Sequence, residues 1–98
     1  MAIKKQFLKS KPVCKVTFTL PGEAIKNVAL VGSFNEWDEK VTPLKKFKNG
    51  IFKATVDLET SKSYEFKYIV DGAFINDEEA DSYVWNDFAG AENSVLSL

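Results

Sequence analysis

The side chain best suited to ligand recognition is a tryptophan that the sequence places in a loop. Residues 28–31 form a short apolar run that Gly32 ends, and the turn-forming segment SFNEWD follows with Trp37 near its end. An apolar run between turn residues predicts a strand covered on both faces, and glycine and asparagine favour a sharp corner after it. Trp37 therefore lies in a loop, either folded back as a lid on the core or exposed as an aromatic platform for a ligand.

A lysine on a strand is placed to supply hydrogen bonds beside that ring. The segment SYEFKYIV alternates so that its aromatic residues and Val70 share one face, while Lys67 lies on the other face with Glu65 and Ile69. The Asp-Gly pair at 71–72 matches the two-residue turn of a β-hairpin, which returns the chain and places Phe74 beside the strand of Lys67. Two plainer interpretations stay open. In the first, Lys67 is a solvated strand lysine paired with Glu65 or a neighbour, and in the second, Phe74 is a core residue.

The composition argues against catalysis and against a metal site. The chain has no histidine and one cysteine, Cys14, which removes the usual zinc ligands and the commonest general base. Glycoside hydrolysis needs two carboxylates about 5–10 Å apart across a pocket, whereas the densest group of carboxylates lies in the single short segment 77–81. A run of charges is usually a solvated surface. We therefore expect no enzyme activity, no metal and no cofactor.

Length and hydropathy predict one small domain. A chain of 98 residues buries enough surface to be stable without disulfides, and Cys14, alone in an alternating apolar pattern, is predicted to be a small core residue in a reducing compartment. Residues 1–12 are predicted to form a basic, irregular leader that ends at Pro12, and residues 13–98 the domain. No segment resembles a signal peptide or an apolar run of about 18 residues, so we expect a soluble, cytoplasmic chain.

Charge is divided unevenly along the chain. Its 13 lysines and 14 carboxylates give a net charge of −1, which provides no general attraction to nucleic acid or to a membrane. Residues 1–53 nevertheless carry a net +7 and residues 54–98 a net −8. We expect the two halves to interleave in a sheet so that these charges neutralise across strands. The alternative is a basic docking patch made of Lys4, Lys5, Lys9 and Lys11.

Period-two alternation predicts the main strands. Three segments alternate between apolar and polar residues along most of their length: VCKVTFTL, IFKATVDL and SYEFKYIV. Their predicted inward residues are Cys14, Val16, Phe18, Leu20, Phe52, Ala54, Val56, Leu58, Tyr64, Phe66, Tyr68 and Val70. Six or seven short strands, turn signals at roughly ten-residue spacing and no helical periodicity predict an antiparallel, immunoglobulin-like β-sandwich of about seven strands.

The connections are predicted in less detail. Asn49 and Gly50 between two strand-like runs predict a hairpin with a type I′ turn, and Pro43 allows only an edge strand or a loop before it. The acidic segment NDEEADSYVWNDFAGAEN is predicted to be an irregular loop. Three aromatic residues are expected to tie that loop to the domain, and they are Tyr83, Trp85 and Phe88.

The motifs in their order resemble a known family. The segments VALVGSFNEW, NGIFKATVDL, YEFKYIVDGAF and GAENSV are similar to those of the family 48 carbohydrate-binding modules, also called isoamylase early-set domains, which include the glycogen-binding domain of the β subunit of AMP-activated protein kinase. The similarity runs from about residue 13 to residue 98. It implies an early-set β-sandwich, here expected to be free-standing because no catalytic barrel follows.

The resemblance also implies a set of ligand-binding side chains. The family holds its glucan with two aromatic rings, a lysine and an asparagine, which fall on Trp37, Phe74, Lys67 and Asn93. Phe74 stands where the family usually has a tryptophan, and Trp85 is the candidate to compensate for the smaller ring. The residue that threads into the glucan is either Phe88 or Ala89. For Asn93 the plainer interpretation is a turn cap.

Two functions remain after these arguments. The resemblance implies non-catalytic binding of an α-1,4-glucan, that is glycogen, starch or a maltooligosaccharide, on an aromatic platform. The alternative is a protein-interaction or regulatory domain of glycogen metabolism, in which Trp37 and the acidic segment contact a protein and sugar binding has decayed. In either case a separate glycogen-metabolising enzyme is an expected partner, while the oligomeric state is left open.

Overall fold

The alternating segments of the sequence form two antiparallel sheets. A computed structural model describes residues 2–22, 24–88 and 90–98. Within them the strands are β1 (Ala2–Phe7), β2 (Val13–Pro21), β3 (Val28–Gly32), β4 (Lys45–Lys46), β5 (Ile51–Glu59), β6 (Ser63–Val70), β7 (Ala73–Ile75), β8 (Ser82–Asn86) and β9 (Ala91–Ser97). The first sheet has the order β1-β2-β5-β4, and the second has the order β3-β6-β9-β8 with β7 also paired to β6. The predicted all-β, antiparallel sandwich is confirmed, although the described residues form nine strands instead of about seven.

The core lies between the sheets and consists of the residues that the alternation assigns inward. Cys14, Phe18, Phe66 and Tyr68 are fully buried, and the predicted core position of the cysteine is confirmed. The rings of Phe18 and Phe66 meet edge to face with centroids 5.4 Å apart, and those of Phe66 and Tyr68 do so at 5.9 Å. Because strand side chains alternate between faces, this core sends every other residue of β6 to the outside of the second sheet.

The first strand lies where the sequence predicted an irregular leader, so that prediction is wrong for Ala2–Phe7. These residues pair with β2 in continuous register from Ala2 opposite Thr19 to Phe7 opposite Cys14. Ile3 packs against the core, whereas the next inward position, opposite Val16, is Lys5. A lysine at an inward position interrupts the apolar alternation, which is why the pattern did not reveal the strand.

A second strand lies inside the acidic segment. Ser82–Asn86 pairs with β9 from Ser82 opposite Val95 to Asn86 opposite Ala91, so the prediction of an irregular loop is wrong there. Its aromatic side chains do not close onto the core either, because Trp85 is 59% exposed and Phe88 fully exposed. Of these three aromatic residues, Tyr83 ties the segment down, since its hydroxyl donates to the backbone oxygen of Asp77 at 2.5 Å.

Both predicted hairpins form, but with different turns. Asp71 and Gly72 have φ of 47° and 89° between the paired residues Val70 and Ala73, as a type I′ turn requires. The earlier hairpin is longer, because Phe47 donates its amide to the Ile51 oxygen. Gly50 alone takes a positive φ there, 80°, so the predicted type I′ turn is wrong at that position. The third residue of a three-residue hairpin loop typically adopts this conformation.

The opposite charges of the two halves meet at one inter-sheet contact. Within the described residues, one ion pair joins residues 1–53 to 54–98: the Lys5 ammonium lies 2.7 Å from Asp81 and also donates to the Ser97 oxygen at 3.1 Å. Partial burial raises the pKa of the Asp81 carboxyl, but hydrogen bonds from Lys5 and from the Ser97 amide outweigh it and hold that pKa below its ordinary value. Lys5 therefore fastens β1 to the second sheet instead of belonging to a free basic patch.

This ion pair predicts a small loss of stability in acid. A carboxyl whose pKa is lowered by folding stabilises the protein above its unfolded pKa of about 3.9, and the contribution disappears as the pH falls through the lower folded pKa. Lys5→Met should therefore reduce the free energy of unfolding by less than about 1 kcal/mol at pH 6, since the pair is partly exposed. Urea denaturation should show the difference from the unsubstituted chain shrinking towards pH 2. A difference that stays constant with pH would contradict the assignment.

A buried polar network forms around the Asp77 carboxylate, in the segment between β7 and β8. The Tyr68 hydroxyl donates to Asp77 at 2.7 Å, and the amide of Glu79 donates to the other carboxylate oxygen at 2.8 Å. Burial, and then the bond to Asp77, raises the pKa of Tyr68 far above its ordinary value, so the hydroxyl stays a donor.

Tyr68→Phe should cost about 1–3 kcal/mol of unfolding free energy, because a buried carboxylate loses a donor. In contrast, Tyr64→Phe, whose hydroxyl bonds to the backbone of Glu59 near the surface, should cost less in the same urea titration; equal losses would count against the network.

Candidate functional site

A cleft on the outer face of the second sheet collects most of the residues singled out in the sequence. Its volume is about 690 Å³. The described residues that line it are Trp37, Lys67, Phe74, Asn86, Phe88, Ala91 and Asn93. Strands β6, β7, β8 and β9 contribute all of them except Trp37, which belongs to the loop after β3, and Phe88, which follows β8. Three aromatic rings, one ammonium and two amides thus share one concave surface, and none of its described lining residues is a carboxylate.

Strand register explains why these side chains meet. Phe74 lies directly opposite Ile69, two residues along β6 from Lys67, so both side chains leave the same face of the sheet. Ser94 is fully buried and faces the core, which turns its neighbour Asn93 to the outer face. Phe74 is 61% exposed, so the interpretation of this ring as a core residue is wrong. Asn93 lies within β9, so it is not a turn cap.

The lysine of the cleft is more enclosed than its place on an outer face suggested. Lys67 is only 8% exposed, and no ion pair or hydrogen bond joins its ammonium to another described residue. The interpretation of Lys67 as a solvated lysine paired with Glu65 or a neighbour is therefore wrong, and Glu65 instead accepts a hydrogen bond from the Asn93 amide nitrogen at 3.1 Å. That bond occupies one amide hydrogen and leaves the Asn93 oxygen as an acceptor. The cleft therefore presents an ammonium donor beside an oriented amide.

The loop that carries Trp37 is held by a buried asparagine. Asn35 accepts a hydrogen bond from the Gly32 amide at 2.9 Å, and its own amide donates to the Leu30 oxygen at 2.9 Å and the Thr42 hydroxyl at 3.1 Å. The Trp37 amide donates to the Gly32 oxygen at 3.0 Å. Trp37 has a φ of 58° and a side chain 40% exposed. The ring is accordingly an exposed wall of the cleft and not a buried lid.

Gly32 is required at this corner for a steric reason. A Cβ atom there would lie 2.5 Å from the Glu65 backbone oxygen and 2.7 Å from the Phe34 ring. The Ser33 amide donates to that same oxygen at 2.9 Å. The Trp37 loop is consequently seated directly on the strand that carries Lys67.

The structure separates the remaining predicted residues. Phe88 lines the cleft. Trp85 lies opposite Glu92, one position from the pair of Val84 and Asn93, so its ring leaves the sheet on the face away from the cleft. Its indole nitrogen donates to Asp87 at 2.6 Å. Ala89 lies outside the described residues.

Sequence reasoning missed two lining residues, Asn86 and Ala91. Both belong to the β8–β9 hairpin, whose first strand was predicted to be irregular, and period-two alternation across SYVWN was the available signal.

The carboxylates of the acidic segment do not enter the cleft: Asp77 is buried in the interior and Asp81 binds Lys5. No group of three or more possible metal ligands occurs among the described residues. Nor does that part of the chain contain a helix long and apolar enough to cross a membrane.

Comparison with known proteins places this cleft in a family context. A family model described as the glycogen recognition site of AMP-activated protein kinase matches residues 14–98. The match includes every lining residue of the cleft. No curated protein matches the chain.

Removal of the Asn35 side chain tests whether its hydrogen bonds, here called the asparagine clamp, hold the Trp37 loop in place. Asn35→Ala should lower the free energy of unfolding by about 1–3 kcal/mol, because the Gly32 amide and the Leu30 oxygen lose their partner. The Gly32 amide should also exchange with deuterium faster. Asn49→Ala is the matched control, since Asn49 accepts one bond in an exposed hairpin and its loss should cost under about 1 kcal/mol. Unchanged exchange at Gly32 would mean that the clamp does not hold the loop.

Proposed function

The chain belongs to the family described as the glycogen recognition site of AMP-activated protein kinase, and from that premise we propose that it binds an α-1,4-glucan in the cleft of Trp37, Lys67, Phe74 and Asn93. The observation that carries the proposal is the convergence of two exposed rings, a lysine and an oriented amide on one concave surface. The resemblance of the sequence motifs implies the same four residues, which supports the proposal.

The chemistry of the cleft suits a sugar. A pyranose ring has faces of C–H bonds, which pack on flat aromatic surfaces, and a rim of hydroxyls that need donors and acceptors. Trp37 and Phe74 supply the aromatic surfaces. Lys67 donates up to three hydrogen bonds, and the Asn93 oxygen accepts one or two. Two rings on different elements can follow the curvature of an α-linked chain, whereas a β-1,4-glucan is extended and flat.

The expected affinity is modest. Each ring contributes about 1 kcal/mol beyond the burial of its area, by analogy with aromatic pairs in proteins. A total of about −4 to −6 kcal/mol corresponds to dissociation constants from about 1 mM to tens of micromolar. Polymers with many equivalent chain ends should bind more tightly through multivalency. Phe74 lacks the N–H donor and the larger ring of a tryptophan, which places this site at the weak end of the range.

The module acts without catalysis in this proposal. A glycosidase needs a pair of carboxylates flanking the bond, and the described lining of the cleft has none. Recognition alone changes no bond in the glucan, so the domain serves to bring another activity to the polymer. The proposed partner whose activity the domain brings to the polymer is a separately encoded enzyme of glycogen metabolism. Release of reducing sugar from glycogen by the purified chain would overturn this part.

A titration with maltoheptaose, followed by amide NMR, tests the site. We expect shifts at residues 37, 67, 74 and 93 that saturate in the micromolar to millimolar range. A cello-oligosaccharide of the same length should cause none. If neither sugar moves these resonances at millimolar concentration, the glucan site has been lost.

Substitutions then test the individual roles. Trp37→Ala and Lys67→Met should each weaken maltoheptaose binding by about fivefold or more, since each removes a stacking or charge-assisted contact worth about 1 kcal/mol. Phe74→Trp should strengthen binding because it enlarges the second ring. Trp85→Ala is the aromatic control on the opposite face and should leave the affinity unchanged. A loss with Trp85→Ala comparable to that with Trp37→Ala would relocate the site.

A further inference from the structure

Strand β8 presents an uncovered edge of the second sheet. It is the last strand in the order β3-β6-β9-β8, and no described strand pairs with its outer side. Three consecutive apolar side chains on it are exposed, with Tyr83 at 42%, Val84 at 40% and Trp85 at 59%. An edge strand directs alternate N–H and C=O groups to solvent, which makes it a template for another strand.

The other sheet edges are protected in ways that β8 is not. Strand β1 carries Lys4 and Lys5, and β4 is only two residues long and consists of lysines. The edge of β3 is covered, because Leu30 donates to the Thr42 oxygen and Leu44 donates to the Val28 oxygen, both at 2.9 Å. Strand β7 has three residues. Lysines, short strands and covering segments are the usual means of preventing edge pairing, and β8 has none of them.

The chain that surrounds this edge is acidic, and Lys5 of β1 is already paired with Asp81. Residues 68–98 contain seven carboxylates and no lysine or arginine. Within this acidic region Glu92 lies directly opposite Trp85 on the neighbouring strand, and Asp87 accepts from the indole nitrogen. Both side chains are exposed. A segment bearing lysine or arginine would therefore find an aromatic ring and carboxylates at the same place, which favours cation–π and charge-assisted contacts.

We propose that the outer edge of β8 binds an extended, lysine- or arginine-bearing segment of another protein, which adds a strand to the second sheet. Main-chain hydrogen bonds supply part of the affinity, and alternate side chains of the segment reach the two faces of the edge. A symmetric pairing of two β8 edges is disfavoured, because it brings two acidic surfaces together. A segment that bears lysine or arginine meets no such electrostatic repulsion at this acidic surface.

The anchoring rings of the proposed docking edge lie on the other face of the sheet from the glucan cleft, to which β8 contributes Asn86. The rings of Tyr83 and Trp85 lie on the face that opposes Glu92 and Ser94, whereas Asn93 opposes Val84 on the face of the cleft. A segment anchored on those rings leaves Trp37 and Phe74 free. The chain is thereby able to hold a glucan and a basic protein segment at the same time. Loss of glucan binding would leave peptide binding intact, and loss of peptide binding would leave glucan binding intact.

The experiment is an amide NMR titration of the full chain with a capped peptide of the repeated sequence Lys-Val-Lys-Val-Lys-Val-Lys. We expect shifts concentrated at 82–86 that weaken in high salt. Trp85→Lys should reduce the affinity by about tenfold, because it places a like charge on the edge and removes the ring. Thr55→Lys, which adds the same charge on the exposed face of the first sheet, should leave the affinity unchanged. Saturating maltoheptaose should leave the peptide shifts in place.

Several results would overturn the proposal. One is the absence of shifts at 82–86 at millimolar peptide, and another is equal binding of a peptide with glutamate in place of lysine. A third is equal binding of a peptide with proline at the central valine, since proline lacks the N–H needed for strand addition. The fourth result would come from sedimentation of the chain without peptide. If the chain self-associates and Trp85→Lys abolishes this self-association, the edge binds a second copy of this chain.

Discussion

The contact between the Gly32 corner and the Glu65 backbone is the constraint on which the recognition surface depends. The Ser33 amide donates to the Glu65 oxygen at 2.9 Å, and the Ser33 hydroxyl accepts from the Glu65 amide at 3.2 Å. The side chain of the same glutamate orients the Asn93 amide. One residue of β6 thus positions the tryptophan loop through its backbone and the asparagine through its carboxylate. Any displacement of β3 along β6 would separate the ring from both polar groups.

The site gains precision because most of it lies on strands. Lys67, Phe74 and Asn93 belong to three neighbouring strands of one sheet, and their relative positions follow from register. Trp37 is in a loop, but the Asn35 hydrogen bonds hold that loop at its base. Preorganised side chains lose little conformational freedom on binding, which matters for a ligand that offers only weak contacts. Phe88 follows β8 and its ring is fully exposed, although its amide donates to the Asn86 side-chain oxygen at 3.0 Å.

The acidic segment shows how one stretch of chain serves both the fold and its surface. Asp77 is buried beneath β8 and accepts from Tyr68, whereas Asp81 receives the Lys5 ammonium of β1. These two carboxylates attach the segment to the core and to the first sheet. The remaining acids stay exposed along an edge strand without lysines. The uneven division of charge along the chain is therefore only partly neutralised in the fold, and it leaves an acidic surface.

Sequence alone determined the strands with strict alternation, the inward positions of the core and the hairpin at Asp71 and Gly72, because these depend on local periodicity and on the φ values that each residue tolerates. It also determined which side chains matched a known ligand-binding pattern. Tertiary structure decided what local patterns do not contain. Strand β1 forms because β2 offers it a continuous antiparallel ladder and Lys5 finds Asp81 on the second sheet, and β8 forms because β9 offers it a ladder. Trp85 lies away from the cleft because the register of β8 sends its ring to the other face. Pairing partners, register and the orientation of exposed rings depend on residues distant in sequence, and these meet only when the two sheets assemble.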